Sequence, residues 1–333
     1  MEEVIWAVSD VHLGLEGSNY EEFAEFLRWA SEKEEFEAPG ANRRVARPTK
    51  LILLGDFLEL WDPIDDDFKN TALQLFQSIK PLLKAADEVI FVTGNHDEAL
   101  EAYEAVYPMK HPGFKIARRH YPDEAPRWIQ VGDRRYFFLH GHQFDRFFLS
   151  LWPLSRLPTL MASANNALKG FTPPGGWGLS IIFLALLVLR LLTPWPSWPP
   201  LWTVYVAGIL SIPRVFTYLQ TPFWHRFGRY LSNRPKHMDI EEMVTKGYYD
   251  KRKDTITADA VVYGHTHVPE ICGPEIAKTL GKTLINTGSW VSEDKPTMKN
   301  TVVVIDEKGA MLLVWKGKKE GFRLLNSLGN EVS

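Results

Sequence analysis

The chain has 333 residues and 45% hydrophobic content, enough for one large domain or two ordinary ones around a packed core, which excludes a disordered tail. Its formal net charge of -3 supplies no overall basic field, so no nucleic acid partner is expected. The single cysteine, Cys272, excludes an intramolecular disulfide and leaves no thiolate metal site.

The acidic opening Met1-Glu2-Glu3 argues against a cleavable signal peptide, so the expectation is that the folded domain remains in the cytoplasm. Residues 4–9 form a short apolar run ending at Asp10, a first core strand. Ser18 and Glu21 have capping-box spacing, and Phe23, Phe26, Leu27 and Ala30 recur at helical intervals, which predicts a helix lying over a sheet. Residues 32–50 are charged, contain Pro39-Gly40 and read as a surface loop. Residues 51–54 and 89–93 read as strands and residues 71–86 as a helix between them, a parallel βαβ unit. Residues 128–131 and 136–139 flank Gly132-Asp133, a hairpin signal, and the second of these strands leads into His140-Gly141-His142. A capping box at Asp239 and Glu242 then starts a helix to about Asp250, and strands at 260–263, 283–286, 301–305 and 311–315 complete the core. The basic residues after Trp315 read as a partly disordered tail.

Between these halves the composition changes. Residues 179–192 and 201–219 are apolar stretches joined by a turn rich in Pro and Trp, the first carrying Arg190 and the second interrupted by Pro213-Arg214. They read as a helical hairpin, either embedded in a membrane or folded as a lid, with basic residues such as Arg146, Lys169, Arg226 and Arg234 flanking it. The expected domains are therefore 1–145 and 239–316 as two parts of one core, 146–238 as the insertion and 317–333 as a basic tail.

His12, His96, His140, His142, His265 and His267 sit in four short motifs with Asp10, Asp56 and Asn95 close by. Each motif follows an apolar run, so polar groups gather where several strands stop. Imidazole, carboxylate and carboxamide donors without thiolate suit Mn2+, Fe2+, Zn2+ or Co2+ in expanded coordination.

Taken in order, Asp10-Val11-His12, Gly55-Asp56, Gly94-Asn95-His96-Asp97, His140-Gly141-His142 and Gly264-His265-Thr266-His267 resemble the motifs of the calcineurin-like metallophosphoesterase superfamily. The resemblance spans roughly residues 4–142 and 255–305. It implies an α/β fold, a four-layer αββα sandwich of two mixed sheets, here with an inserted apolar helical subdomain. It also implies two divalent ions, Mn2+ first among them, one held by Asp10, His12, Asp56 and His267 and the other by Asp56, Asn95, His140 and His265. A hydroxide bridging the ions would attack phosphorus. His96 would stabilise or protonate the leaving oxygen, with Asp97 beside it to orient it. His142, Glu59 and Trp61 are expected behind the ligands or against the substrate.

The stretch Gly55-Asp56-Phe57-Leu58-Glu59-Leu60-Trp61 further resembles the UDP-2,3-diacylglucosamine hydrolase branch, although that branch usually has arginine in place of His96 and aspartate in place of His142. Together these readings lead to the expectation of a phosphodiesterase or pyrophosphatase on the cytoplasmic face of a membrane, acting on a phosphate-containing lipid or a lipid-linked nucleotide. The alternatives are a phosphatase or phosphodiesterase for a soluble phosphoester or nucleotide and, from another class, a non-catalytic scaffold. The oligomeric state is left open.

Overall fold

The computed structural model describes residues 3–15, 17–37, 39–40, 44–59, 84–98, 100, 112–146, 184–188, 202–203, 205–209, 238–245, 256–273, 275–291, 299–327 and 329. The chain divides into two compact units, one comprising Met1–Ser150 with Pro235–Ser333 and the other Leu151–Arg234.

The strands of the first unit run in chain order as β1 (Ile5–Val8), β2 (Glu35–Glu37), β3 (Arg44–Ala46), β4 (Lys50–Leu54), β5 (Glu88–Val92), β6 (Phe114–Ala117), β7 (His120–Tyr121) and β8 (Ile129–Val131). They continue as β9 (Arg134–Leu139), β10 (Ala260–Tyr263), β11 (Glu270–Cys272), β12 (Thr283–Asn286), β13 (Thr301–Asp306), β14 (Gly309–Trp315) and β15 (Phe322–Leu325). Its described helices are α1 (Tyr20–Ser31), α2 (Ile240–Thr245) and α3 (Glu275–Thr279). One sheet has the order β15-β14-β13-β1-β4-β5-β6, and the other β11-β12-β10-β9-β7 with β8 also paired to β9. Both sheets are mixed. The pairs β1–β4, β4–β5, β5–β6, β9–β10 and β10–β12 are parallel, while β13, β14, β15, β11, β7 and β8 join antiparallel.

Strand side chains alternate between faces, and that alternation builds the layers. On the first sheet Trp6, Leu51, Leu53, Val89, Phe91, Val302 and Val304 face α1 and pack on its Phe23, Phe26, Leu27 and Ala30. The residues between them, Ile5, Ala7, Ile52, Leu54, Ile90, Val92, Val303 and Ile305, face Tyr136, Phe138, Ala260, Val262 and Ile285 of the second sheet. The far face of that sheet, with Phe137, Leu139, Val261, Tyr263 and Leu284, is covered by Met243 and Val244 of α2 and Ala277 of α3. Helix, sheet, sheet and helix form four layers, so the expected α/β sandwich of two mixed sheets is the observed fold.

Several local expectations need correction. Helix α1 begins one residue later than a Ser18 cap requires: its N-cap is Asn19, which makes no side-chain cap, and the Ser18 hydroxyl donates to the Val11 carbonyl at 2.6 Å. By contrast Asp239 does cap α2, accepting the Glu242 N–H at 2.9 Å. The expected loop 32–50 contains the antiparallel pair β2–β3, because Phe36, between exposed Glu35 and Glu37, and Val45, after exposed Arg44, bury against the core. Nor is the C-terminal segment a separate tail: β15 extends the first sheet, and Phe322 is fully buried with ring centroids 5.2–6.0 Å from Trp6, Phe26, Trp29, Phe36 and Trp315.

The membrane hairpin and the membrane localisation built on it are overturned. Among the described residues no helix is long and apolar enough to cross a membrane. A span needs about 20 consecutive apolar residues, and Arg190 and Pro213-Arg214 break both apolar stretches short of that. The described helical stretches of the second unit are residues 184–188, 202–203 and 205–209.

Truncating Phe322 tests whether the last strand belongs to the core. Phe322→Ala should destabilise the chain by about 3–5 kcal/mol, read from urea unfolding midpoints, whereas a negligible shift would return β15 to the status of a tail.

Candidate metal centre

Five parallel strands, β1, β4, β5, β9 and β10, stop at the same edge of the sandwich, and the residue or turn after each carries the polar motifs. Asp10 and His12 follow β1, Asp56 follows β4, Asn95, His96 and Asp97 follow β5, His140 follows β9, and His265 and His267 follow β10. The β1 and β4 loops continue to pair beyond the sheet through Asp10 N–H to Gly55 C=O at 3.1 Å and His12 N–H to Asp56 C=O at 2.9 Å. Seven described non-glycine residues have positive φ, and five of them are Asp10, His12, Asp56, His265 and His267, with φ of 48–69°. Such left-handed backbone costs of order 1–3 kcal/mol per residue and collects where a site dictates the conformation.

Close approach of these loops also requires glycine. A Cβ on Gly94 would lie 2.3 Å from Asp56 Oδ1 and 2.4 Å from Asp56 N, and one on Gly264 would lie 2.2 Å from Ser9 Oγ and 2.6 Å from Asp10 Oδ2.

The donor atoms converge from both sheets. His140 Nε2 lies 3.1 Å from Asp56 Oδ2, His267 Nε2 lies 3.1 Å from Asp10 Oδ1, and His12 Nε2 lies 3.8 Å from Asp10 Oδ1 and 3.9 Å from Asp56 Oδ2. Ligands at about 2.0–2.2 Å from one ion and at right angles to each other are about 3 Å apart, so the two shorter spacings suit a shared cation. Among the described residues three groups have ligand atoms within 4.8 Å of one another: Asp10, His12 and His267; His12, Asp56 and His96; and Asp56, His140 and His265. Asp56 and His12 each belong to two of them. Buried polar atoms normally find hydrogen bonds, yet among the described residues Asp10 Oδ1, His12 Nε2, Asp56 Oδ2, Asn95 Oδ1 and His140 Nε2 have none. All five are metal-ligating atom types. The residues present therefore fit a dinuclear metal centre.

Atoms on the far side of each ligand are engaged. Asp10 Oδ2 accepts the His265 N–H at 2.9 Å and the Ser9 hydroxyl, and Asp56 Oδ1 accepts the His96 N–H at 2.9 Å. His140 Nδ1 donates to the Leu54 carbonyl at 2.7 Å, which leaves Nε2 as the nitrogen facing Asp56. Glu59, only 1% exposed, lies 3.0 Å from His12 Nδ1 and 2.8 Å from His96 Nδ1, so one carboxylate orients two imidazoles.

Asp97 does not take the orienting role expected beside His96. Its carboxylate accepts backbone N–H groups of Gly94 at 2.6 Å, Phe57 at 2.8 Å and Leu58 at 3.3 Å, tying the β4 and β5 loops together, while Glu59 holds His96. The His142 ring lies 5.4 Å from that of His140 and 6.4 Å from that of His265. Trp61 is outside the described residues. Sequence reasoning missed Asp145, fully buried with Oδ2 3.0 Å from His265 Nε2. The available signal was a carboxylate three residues beyond the His140-Gly141-His142 motif.

Electrostatics follows from this packing. Burial opposes ionisation of Asp10, Asp56 and Glu59, but the surrounding imidazoles outweigh it and hold all three below the usual carboxylate range: His267 and His140 at Asp10, His140 and His96 at Asp56, and His96 and His12 at Glu59. Burial likewise opposes protonation of His12 and His140. Asp10 and Glu59 nevertheless push His12 up to about 10, and Asp56 and Asp10 push His140 up to about 9. Burial and then the Asp56 charge raise Asp97, while burial and the neighbouring His140 and His265 lower His142.

The metal-free site thus keeps protons on His12 and His140 through neutral pH, and a ligating imidazole must lose its proton. Metal affinity should rise by roughly tenfold per pH unit for each proton displaced as pH increases from 6.5 towards 9. Calorimetric titration in buffers of different ionisation enthalpy should register proton release, and an affinity that is flat across this window would contradict the proton-loaded site.

Comparison with curated proteins gives no match. Among solved structures the chain is similar to vacuolar protein sorting 29 from Cryptosporidium parvum, at 11% identity and a TM-score of 0.35 over 97% of this chain and 95% of that one. It is also similar to the phosphopantetheinyl hydrolase from Mycobacterium tuberculosis, at 15% identity and a TM-score of 0.35 over 87% and 90% of the two chains. A dimetal phosphatase from Danio rerio aligns at 11% identity and a TM-score of 0.35 over 93% and 98%. The family model of the calcineurin-like phosphoesterases matches residues 4–171, half of the sequence and four of the five motifs. With that match and the clustered carboxylate and imidazole donors, the chain belongs to the calcineurin-like phosphoesterase family and is a metal-dependent hydrolase.

Proposed function

We propose that the chain is a phosphatase or phosphodiesterase for a soluble phosphoester or nucleotide, working with two divalent ions, Mn2+ first among them. The convergence of Asp10, His12, Asp56, Asn95 and His140 through buried atoms that make no hydrogen bond carries this reading. His265 and His267 would complete the donor set, and Asp56, with Oδ2 3.9 Å from His12 Nε2 and 3.1 Å from His140 Nε2, would be the ligand shared by the two ions. The filled donor set also speaks against a non-catalytic scaffold.

When bound, the ions would supply Lewis-acid charge to the phosphoryl oxygens. The chain's own groups do the rest. Asp10 and Asp56 each spend one oxygen on a backbone N–H and present the other, which fixes the donors without further ordering. His96 is turned by Glu59 so that Nε2 faces Asp56 Oδ2 at 3.9 Å, on the rim of the donor cluster. From there it is placed to donate a proton to the departing oxygen.

A second reading rests on the Gly55-Asp56-x-x-Glu59-x-Trp61 resemblance: a lipid-linked nucleotide whose pyrophosphate is cut. Glu59 of that stretch contacts His12 and His96. Histidine at positions 96 and 142 departs from that branch and favours the soluble substrate.

The two readings separate on a panel of p-nitrophenyl phosphate, bis(p-nitrophenyl) phosphate, a nucleoside diphosphate sugar and a lipid-linked nucleotide sugar in detergent, each with Mn2+. Turnover of the soluble esters is expected; turnover confined to the lipid substrate would favour the second reading, and none at all would overturn both. His96→Ala should keep the bound ions and lower kcat by about 10²–10⁴ on alkyl phosphodiesters, with a much smaller loss on p-nitrophenyl esters, whose leaving group needs no proton. Equal losses on both kinds of ester would remove His96 from the acid role.

A further inference from the structure

Asp145 lies beyond the His140-Gly141-His142 motif, at the end of the short 3-10 turn His142–Phe144. It is fully buried, and its Oδ2 sits 3.0 Å from Nε2 of His265. Its backbone forms an isolated antiparallel bridge with Met238, and the Asp239 N–H donates to the Phe144 carbonyl at 2.6 Å. Met238 in turn closes over the histidine loop, its Cε 3.2 Å from where a Cβ on Gly141 would lie. Two core segments far apart in sequence are therefore zipped together, and the carboxylate at that zip grips a site histidine.

His265 is the odd member of the imidazole set. His12 and His140 give Nδ1 to Glu59 and to the Leu54 carbonyl and offer Nε2 to the cluster. In His265 it is Nε2 that faces a carboxylate, which places the N–H on Nε2 and the lone pair on Nδ1, since a neutral imidazole carries one of each. With Nε2 taken, Nδ1 is its ligand atom towards Asp56 and His140, the other two members of its donor group. Without a carboxylate at that point, the tautomer and the ring angle of His265 would both be free to change.

We propose that Asp145 is a positioning residue for one of the two ions, the one held by Asp56, His140 and His265, and that the ion on the Asp10, His12 and His267 side does not depend on it. The proposal rests on the dinuclear reading above. It goes further by making the two ions separable through a residue that touches neither.

The full-length chain and its Asp145→Ala, Asp145→Asn and Asp145→Glu variants are stripped of metal and titrated with Mn2+. Bound ions are counted by equilibrium dialysis, and magnetic coupling between them is read by electron paramagnetic resonance. In Asp145→Ala one ion should weaken by roughly 10–100-fold and the other by no more than about twofold, the coupled-pair spectrum giving way to that of an isolated ion. Asp145→Asn keeps the shape and an oxygen that can accept from Nε2–H, so it should lose less than Asp145→Ala; if the alanine variant does not fold, selective loss in Asp145→Asn decides. Asp145→Glu should restore part of the lost affinity. Two ions bound as in the parent chain, or both weakened equally, would overturn the proposal. A parent chain that binds fewer than two ions would instead overturn the dinuclear reading on which it rests.

Discussion

The structure depends on bringing carboxylates and imidazoles from two separate sheets into one water-poor space. Asp56 from the first sheet meets His140 from the second at 3.1 Å, and Asp10 meets His267 at 3.1 Å and the backbone of His265 at 2.9 Å. An isolated buried carboxylate would be prohibitive, so each must face positive charge or hydrogen-bond donors. That requirement explains the architecture. The parallel strands β1, β4, β5, β9 and β10 all end at one edge, so their loops arrive at a common point from both sides of the sandwich.

Holding the loops there is costly, and the cost is concentrated in the ligands themselves. Asp10, His12, Asp56, His265 and His267 adopt left-handed backbone, and Gly94 and Gly264 leave no room for a side chain. Offsetting this are contacts that serve orientation and charge together. Glu59 sits between His12 and His96, and Asp97 gathers three backbone N–H groups from two loops. These carboxylates are not at the convergence point, yet they decide which atom each ligand turns towards it. The fold thus orients the donor atoms through contacts of its own, and ligation requires loss of protons from the imidazoles.

Much of this was legible in the sequence because both signals are local. Apolar runs of four to six residues ending in Asp, Asn or His gave the strands and the donors at once, and the unbroken apolar runs in β1, β4, β5 and β13 match strands buried on both faces. What failed was information that only tertiary contacts carry. Phe322 looked like part of a basic tail because three lysines precede it, yet six aromatic rings meet there. Ser18 had the spacing of a cap, but its hydroxyl goes to Val11. The apolar stretches after residue 178 suggested lipid, since periodicity does not distinguish a lipid neighbour from a protein one. Asp97 lay next to His96 in sequence and was taken as its partner, whereas the partner is Glu59, 37 positions away.

The most direct test of the dinuclear site is anomalous diffraction from crystals loaded with Mn2+. Two peaks per chain, about 3.5–4 Å apart, should appear with Asp56 Oδ2 between them, one flanked by Asp10, His12 and His267 and the other by Asn95, His140 and His265. A single peak, or two peaks that Asp56 does not bridge, would contradict the account.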